Sequence, residues 1–263
     1  MTLVRITKDI INMIPTFLEP FKSEIDKYKL ETIKIVAQPN TEKETLSLKQ
    51  SKFLGVPFLP VQHQYPKSKD GTPMILLAQI NFAEIPALEK YPTEGILQLF
   101  VSPTNWYDME DYRILFHENV NQECQTDFSF LTANLYEESP IYTEHQLAFT
   151  KGTDYGGPED FRFNLKFNEK EYYDYYESLA KSEQEEMDKM FSAQGHKIGG
   201  YAFFTQSDPR DYDDSKKNDL LLFQIDTDEE IMFGDSGVAN VFLNANDLKS
   251  KNFDKAYFNW DCC

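Results

Sequence analysis

The sequence predicts an α+β chain whose strand units are internally duplicated with pseudo-twofold symmetry. Three observations carry that expectation. Two stretches match each other at one offset of 145 residues, each match holds a short apolar run bounded by turn residues, and apolar residues recur at helical spacing over 7–29 and 168–194.

The first block lays SKFLGVPFL (51–59) over HKIGGYAFF (196–204), so that Lys52 meets Lys197, Gly55 meets Gly200 and Phe58 meets Phe203. The second lays MILLAQIN (74–81) over DLLLFQID (219–226), aligning Gln79 with Gln224 and Asn81 with Asp226. A third lays GILQLF (95–100) over GVANVF (237–242), with the offset shortened to 142. These blocks define a first repeat at about 50–102 and a second at about 195–244 within a single domain of 1–263. Two copies of so long a period do not make a solenoid or a propeller. LLAQIN and LLFQID read as buried strands, and GILQLFV and GVANVFL are expected to pair with the strand before them.

Helices are expected before each strand block. In an N-terminal helical extension, 1–35, Ile10, Ile14, Phe17, Phe21, Ile25 and Tyr28 form a stripe, and Pro15 and Pro20 within it predict a kinked or broken helix. Further on, Asn168 reads as an N-cap, with acidic Glu169 and Glu171 in the first turn. Ser182 with Glu185 reads as a capping box for a second helix ending near Gly195. Ten of the 13 prolines lie at or before Pro103, whereas the second copy's loop at 207–219 is charged, so the copies are expected to differ in their loops.

A chain of 263 residues with 41% hydrophobic and 14% aromatic content has ample material for a core, which excludes a disordered chain. No apolar run is long enough to span a membrane, and the N-terminal residues, with Asp9 in their midst, do not read as a signal peptide. Cys124, Cys262 and Cys263 cannot all pair within one chain; reduced thiols and a cytoplasmic location are expected. The net charge is −18 and uneven: residues 168–235 hold 7 basic against 18 acidic side chains, and residues 1–60 hold 9 against 7. Such a surface disfavours nucleic acid; it either serves solubility alone or attracts a basic protein or a cation.

Gly234-Asp235-Ser236-Gly237 looks like a serine-nucleophile motif, but the histidine motif that would accompany it is missing, and a tight turn explains it. Asp208, Asp211, Asp213 and Asp214, with Asp226, Asp228, Glu229 and Glu230, are weak metal candidates whose spacing does not meet that of a calcium loop. Gln79 and Gln224, polar residues inside apolar strands, either lock the fold through loop backbone or line a cleft near the pseudo-twofold axis. Lys52, Lys197 and His196 are placed with them as cleft candidates. Trp106, Tyr107 and Tyr112 either cover the core or meet a partner. No phosphate-binding glycine loop, paired-cysteine motif or dinucleotide fingerprint appears, and no cofactor is expected.

The ordered series SKFLGVPFLP, LLAQINFAEIP, EGILQLF, HKIGGYAFFTQSDPR, LLLFQID, GDSGVANVFL and NWDCC resembles the YwqG family of uncharacterised bacterial proteins over about 40–263. The resemblance implies a mixed α/β fold and a cytoplasmic bacterial protein, and it supplies no catalytic residues. Its association with toxin gene neighbourhoods implies an immunity-like or interaction role. Family members often carry Gly-Gly where this chain has Leu54-Gly55; Gly199-Gly200 keeps that pattern. The expected function is therefore a protein-binding module for a basic partner. The alternative is a small-ligand binder or hydrolytic enzyme with its site between the repeats.

Overall fold

Apolar runs that alternate or sit between turn residues become strands in the computed structural model, which describes residues 14–42 and 45–263. They are β1 (Leu30–Pro39), β2 (Lys52–Phe53), β3 (Ile75–Asn81), β4 (Ile96–Val101), β5 (Tyr112–His117), β6 (His145–Asp154), β7 (Lys197–Gly199), β8 (Asp219–Ile225), β9 (Val238–Asn244) and β10 (Tyr257–Asp261). All pair antiparallel in one sheet of order β10-β9-β8-β7-β1-β6-β2-β3-β4-β5.

The α+β expectation is corrected by this architecture: the described residues are β-rich, with few and short helices among them. They are α1 (Lys22–Ile25), α2 (Tyr172–Tyr176), α3 (Lys181–Met190) and α4 (Ala245–Lys249). Of the helix expected over 7–29, residues 7–13 lie outside the described residues. The rest is a 3-10 segment at Thr16–Phe21 containing Pro20, then α1, then a 3-10 turn at Asp26–Tyr28. Proline inside the stripe removes a backbone donor, and among the described residues no long helix forms there. In the second stretch Asn168 is not a cap. It and Glu169 take left-handed backbone, φ 50° and 64°, in a tight turn closed between Phe167 and Lys170, and α2 begins only at Tyr172. The capping contact of α3 comes two residues earlier than expected, from Ala180 N–H to the Glu183 carboxylate at 3.0 Å.

The sheet curls into a nearly closed barrel. One inner cluster draws Ile33 and Ile35 from β1, Leu77 from β3, Leu97 and Leu99 from β4, Ile198 from β7, and Val241 from β9. The two edge strands meet through side chains. Tyr112 of β5 lies 5.8 Å from Phe258 of β10, Trp106 lies 4.8 Å from Trp260, and Phe116 stacks on Phe253 at 4.1 Å. Trp106 and Tyr112 thus cover the core, while Tyr107 stays exposed.

Exchanging β1–β5 with β6–β10 reproduces the strand order read from the other edge. The middle of the sheet is crossed over: β1 pairs with β7, and β6 with β2. Lys34 opposes Lys197 as Gln146 opposes Lys52, so β1 matches β6 at an offset of 112 rather than 145. Both β3 and β8 carry a bulge at the matching point, after Leu76 and after Leu221. The extra residue lets two consecutive side chains, Leu77 and Ala78 or Leu222 and Phe223, face the inner core. At the ends of β2 and β7 the chain turns through left-handed pairs, Leu54-Gly55 at φ 57° and 82° and Gly199-Gly200 at φ 70° and 76°. Leu54 therefore holds a conformation that costs a non-glycine residue about 1 kcal/mol.

The difference between the two offsets corresponds to residues inserted between β6 and β7. This insert carries α2 and α3 and builds a second core from Phe163, Phe167, Tyr172, Met187 and Phe191, onto which Leu18, Phe21 and Ile25 pack. Phe21 sits edge-on to Phe167 at 5.1 Å and to Tyr175 at 5.4 Å. Among the described residues, no helix is long and apolar enough to cross a membrane.

Candidate functional site

The two glutamines are placed apart, with β7, β1, β6 and β2 between their strands. Each is fully buried and each binds its own loop. Gln79 Oε1 accepts from Phe58 N–H at 2.8 Å, and its amide donates to Leu48 O and Gln50 O, both at 2.8 Å. Gln224 does the same with Phe203 N–H at 2.8 Å, Ala193 O at 3.1 Å and Gly195 O at 2.8 Å. A side-chain amide inside an apolar strand is tolerated here because loop backbone satisfies it.

Lys52 and Lys197 begin β2 and β7, and both ammonium groups are enclosed. Lys52 donates to Ser47 O at 2.7 Å and Val56 O at 3.0 Å. Burial lowers it to about 8, against the opposing pull of Glu144 and Glu84. Lys197 pairs with Asp154 at 2.8 Å, and burial lowers its pKa as well. His196 has both ring nitrogens engaged. Nδ1 accepts from Asp226 N–H at 2.9 Å, so Nε2 carries the proton and faces Asp228 at 3.0 Å. At the matching point of the other half the Ser51 hydroxyl accepts from Asn81 N–H at 2.8 Å. His196 thus fills a structural position, and its imidazole has no free lone pair to act as a base.

Beside the glutamines the halves differ. Gln98 donates to Gln79 Oε1 and to Phe58 O, both at 2.7 Å, while its own oxygen faces His117 Nε2 at 3.0 Å. Burial, with His63 beside it, lowers His117 to about 4. Asn240, at the place of Gln98, reaches Phe203 O at 2.9 Å, but its Oδ1 has no partner among the described residues. Asp261, at the place of His117, accepts from Thr205 N–H at 2.9 Å and Gln206 N–H at 2.8 Å; burial pushes its pKa up.

Of the acidic residues weighed for metal, Asp208 is held by the buried Arg210, Asp211 by Lys217 at 2.8 Å, Asp213 by Ser215 N–H at 3.0 Å, Asp226 by Gly195 N–H at 2.6 Å, and Asp228 faces His196. Among the described residues no three His, Cys, Asp or Glu side chains are grouped to hold a metal ion. Gly234–Gly237 is a turn closed by Gly237 N–H to Phe233 O at 2.8 Å.

What the structure does assemble is a groove around the loop joining α3 to β7. Three hollows of about 540, 270 and 530 Å³ adjoin there. The first two share Ser192 and Gln194, and the second and third share Glu159, Gln194 and Phe203. His196, Lys197 and Asp154 lie in the first; Glu159, Asp188, Tyr172, Tyr173 and Tyr176 in the second; Asp226 and Cys263 in the third. Sequence reasoning found His196 and Lys197 and missed the tyrosines and Glu159. The run YYDYY was legible as helix, but nothing local said which of its rings would face a hollow.

The chain belongs to the DUF1963 family, described as a domain of unknown function, whose match covers residues 51–262. That match begins after β1, although β1 lies in the middle of the sheet. Among curated proteins, none matches the chain.

Proposed function

We propose that this DUF1963 chain is an interaction module that holds a basic partner along the groove of its second half. The observation that carries the reading is the coincidence of that groove with the acidic stretch. Three adjoining hollows open among Glu159, Asp188, Asp226 and Asp228, with Lys34, Lys189 and Lys197 lining the first, beside the stretch 168–235 that holds 7 basic against 18 acidic side chains. Negative potential over a concave surface raises the local concentration of a cationic partner and speeds its encounter. A hydrolytic reading has less support, since His196 lacks a free lone pair and Gly234–Gly237 serves as a turn.

The same reading treats the chain as a cytoplasmic, YwqG-like product of internal duplication. The matched bulges, the matched glutamine bonds and the reversible strand order support that origin. The insert between β6 and β7 has no counterpart of its length between β1 and β2, so the groove belongs to one copy only.

The test uses a fluorescent ten-residue Lys/Arg peptide, with a Glu-rich peptide as control. Anisotropy should report binding of the basic peptide that weakens as salt rises, and hydrogen exchange should show protection within 155–235. Salt-insensitive binding, or protection confined to the first half, overturns the reading.

A further inference from the structure

The middle hollow differs from its neighbours in being walled by aromatic rings. Its lining includes Tyr172, Tyr173, Tyr176, Phe191 and Phe203, and neither lysine nor arginine is among its lining residues. The rings present faces in different directions. Tyr172 stands at 86° to Tyr173 and at 89° to Phe191, with centroids 5.2 and 6.1 Å away, and lies near-parallel to Tyr176, 18° at 6.1 Å. Two carboxylates back this box. Tyr176 donates its hydroxyl to Asp188 Oδ2 at 2.9 Å, and the Glu159 carboxylate lies near the Tyr173 hydroxyl. A tyrosine that donates to a carboxylate has a more electron-rich ring, and the face of such a ring attracts a cation.

Glu159 adds a second, separate indication. Burial holds its carboxyl above the usual glutamate range, despite the opposing pull of the nearby Tyr173 hydroxyl, and Asp188 pushes the same way as burial. No ion pair to Glu159 or Asp188 occurs among the described residues. The hollow therefore combines negative charge and ring faces, partly open to solvent, without a positive group of its own. A bare ammonium is strongly hydrated and gives up that water reluctantly. An alkylated ammonium is poorly hydrated and fits ring faces, which makes it the cation that such a box favours.

We infer that the hollow walled by Tyr172, Tyr173, Tyr176 and Phe191, with Glu159 and Asp188 behind it, binds an alkylated ammonium group. The inference rests on the groove reading above and names the cationic group that this part of the groove takes. That group arrives either on a methylated lysine of the partner or as a free small molecule of the choline kind.

Calorimetry on the full chain separates the cases. The probes are tetramethylammonium, choline, the neutral isostere 3,3-dimethylbutanol, and a basic peptide with one lysine either unmodified or trimethylated. Choline or tetramethylammonium should bind and the neutral isostere should not. Tyr173→Ala, at an exposed ring, and Asp188→Asn should each weaken binding about tenfold with melting temperature unchanged. A trimethylated peptide that binds more tightly than the unmodified one, by a margin that Tyr173→Ala removes, assigns the group to a partner; choline binding without that margin assigns it to a small molecule. Silence from every alkylammonium probe, equal binding of the neutral isostere, or variants that bind like the parent chain overturns the inference. If the unmodified basic peptide still binds in those cases, the groove reading stands and only the box has failed. If choline binds and no basic peptide does, the groove reading fails and the box stands as a small-molecule site.

Discussion

Tyr65 and Arg210 stand at matching points of the two halves and fill them in different ways. Tyr65 donates its hydroxyl to Met74 O at 3.0 Å and rests 5.9 Å from Phe100. Arg210 donates to Asp219 O at 3.2 Å and lies 4.6 Å over Phe242, the residues matching Met74 and Phe100. The arginine also gathers carboxylates, taking Asp208 at 2.6 Å and Asp160 at 2.8 Å. Asp160 in turn binds Arg162 at 2.6 Å and Ala202 N–H at 2.9 Å. Burial alone would raise Asp160, but Arg162 and Arg210 hold it below the ordinary carboxylate range. The first half is thus closed by a neutral phenol under a local loop, whereas the second is closed by an ion network that ties the insert, through Asp160 and Phe161, to the sheet. Where a half has to hold additional chain, charge replaces an aromatic hydroxyl at the same point.

The largest test of that contrast is removal of the polar group at each point. Arg210→Met leaves Asp208 without its buried counter-charge and should cost about 3–5 kcal/mol. Tyr65→Phe removes one hydrogen bond and should cost about 1 kcal/mol. Urea unfolding measures both, and similar losses would remove the distinction between the halves.

The next contrast is in pH. His117 is lowered to about 4 in the fold, so on acidification the unfolded chain takes up that proton first. Its contribution falls as pH drops from about 6.5 to about 4, by up to about 3 kcal/mol. Asp261, at the matching place, has a raised pKa, so the folded state takes up its proton first, and acidification through that range relieves its penalty. His117→Asn should flatten the acid side of the stability profile, and Asp261→Asn should steepen it. Identical profiles would show that neither position is sheltered.

A smaller difference concerns the glutamines. Gln224→Ala strips Phe203 N–H, Ala193 O and Gly195 O of a partner and should cost about 2 kcal/mol. Gln79→Ala should cost somewhat more, since Gln98 loses an acceptor as well. Thermal unfolding checks both, and variants as stable as the parent chain would return the amides to the list of ligand-binding candidates.

Much of the second half's scaffold was legible because its matches to the first half are local. Lys, Gly and Gln recur at one spacing, and the strands around Gln79 and Gln224 are short apolar runs between turns. β1 and β6 were harder to read. Ile33 and Ile35 alternate with Lys34 in β1, a strand signal, but β1 matches β6 only at the offset of 112, so a comparison at 145 passes over the pair. Helix signals misled at Asn168, where a tight turn takes the side chain out of capping position. The groove was partly legible: His196 and Lys197 were in view, while Tyr172, Tyr173, Tyr176 and Glu159 were not. Ring faces become a box only after α2 and α3 pack on the second core, and residue order does not encode that angle.

By itself the sequence determined the short apolar runs around Gln79 and Gln224 and where the chain would turn beside them, because hydrophobic pattern, glycine and proline act over a few residues. Only the tertiary structure decided that β1 joins the second half and β6 the first. Backbone donors and acceptors on a strand edge will pair with any suitable neighbour, and the neighbour is selected by packing between segments far apart in the chain. The same long-range packing decided that the acidic insert would border a groove.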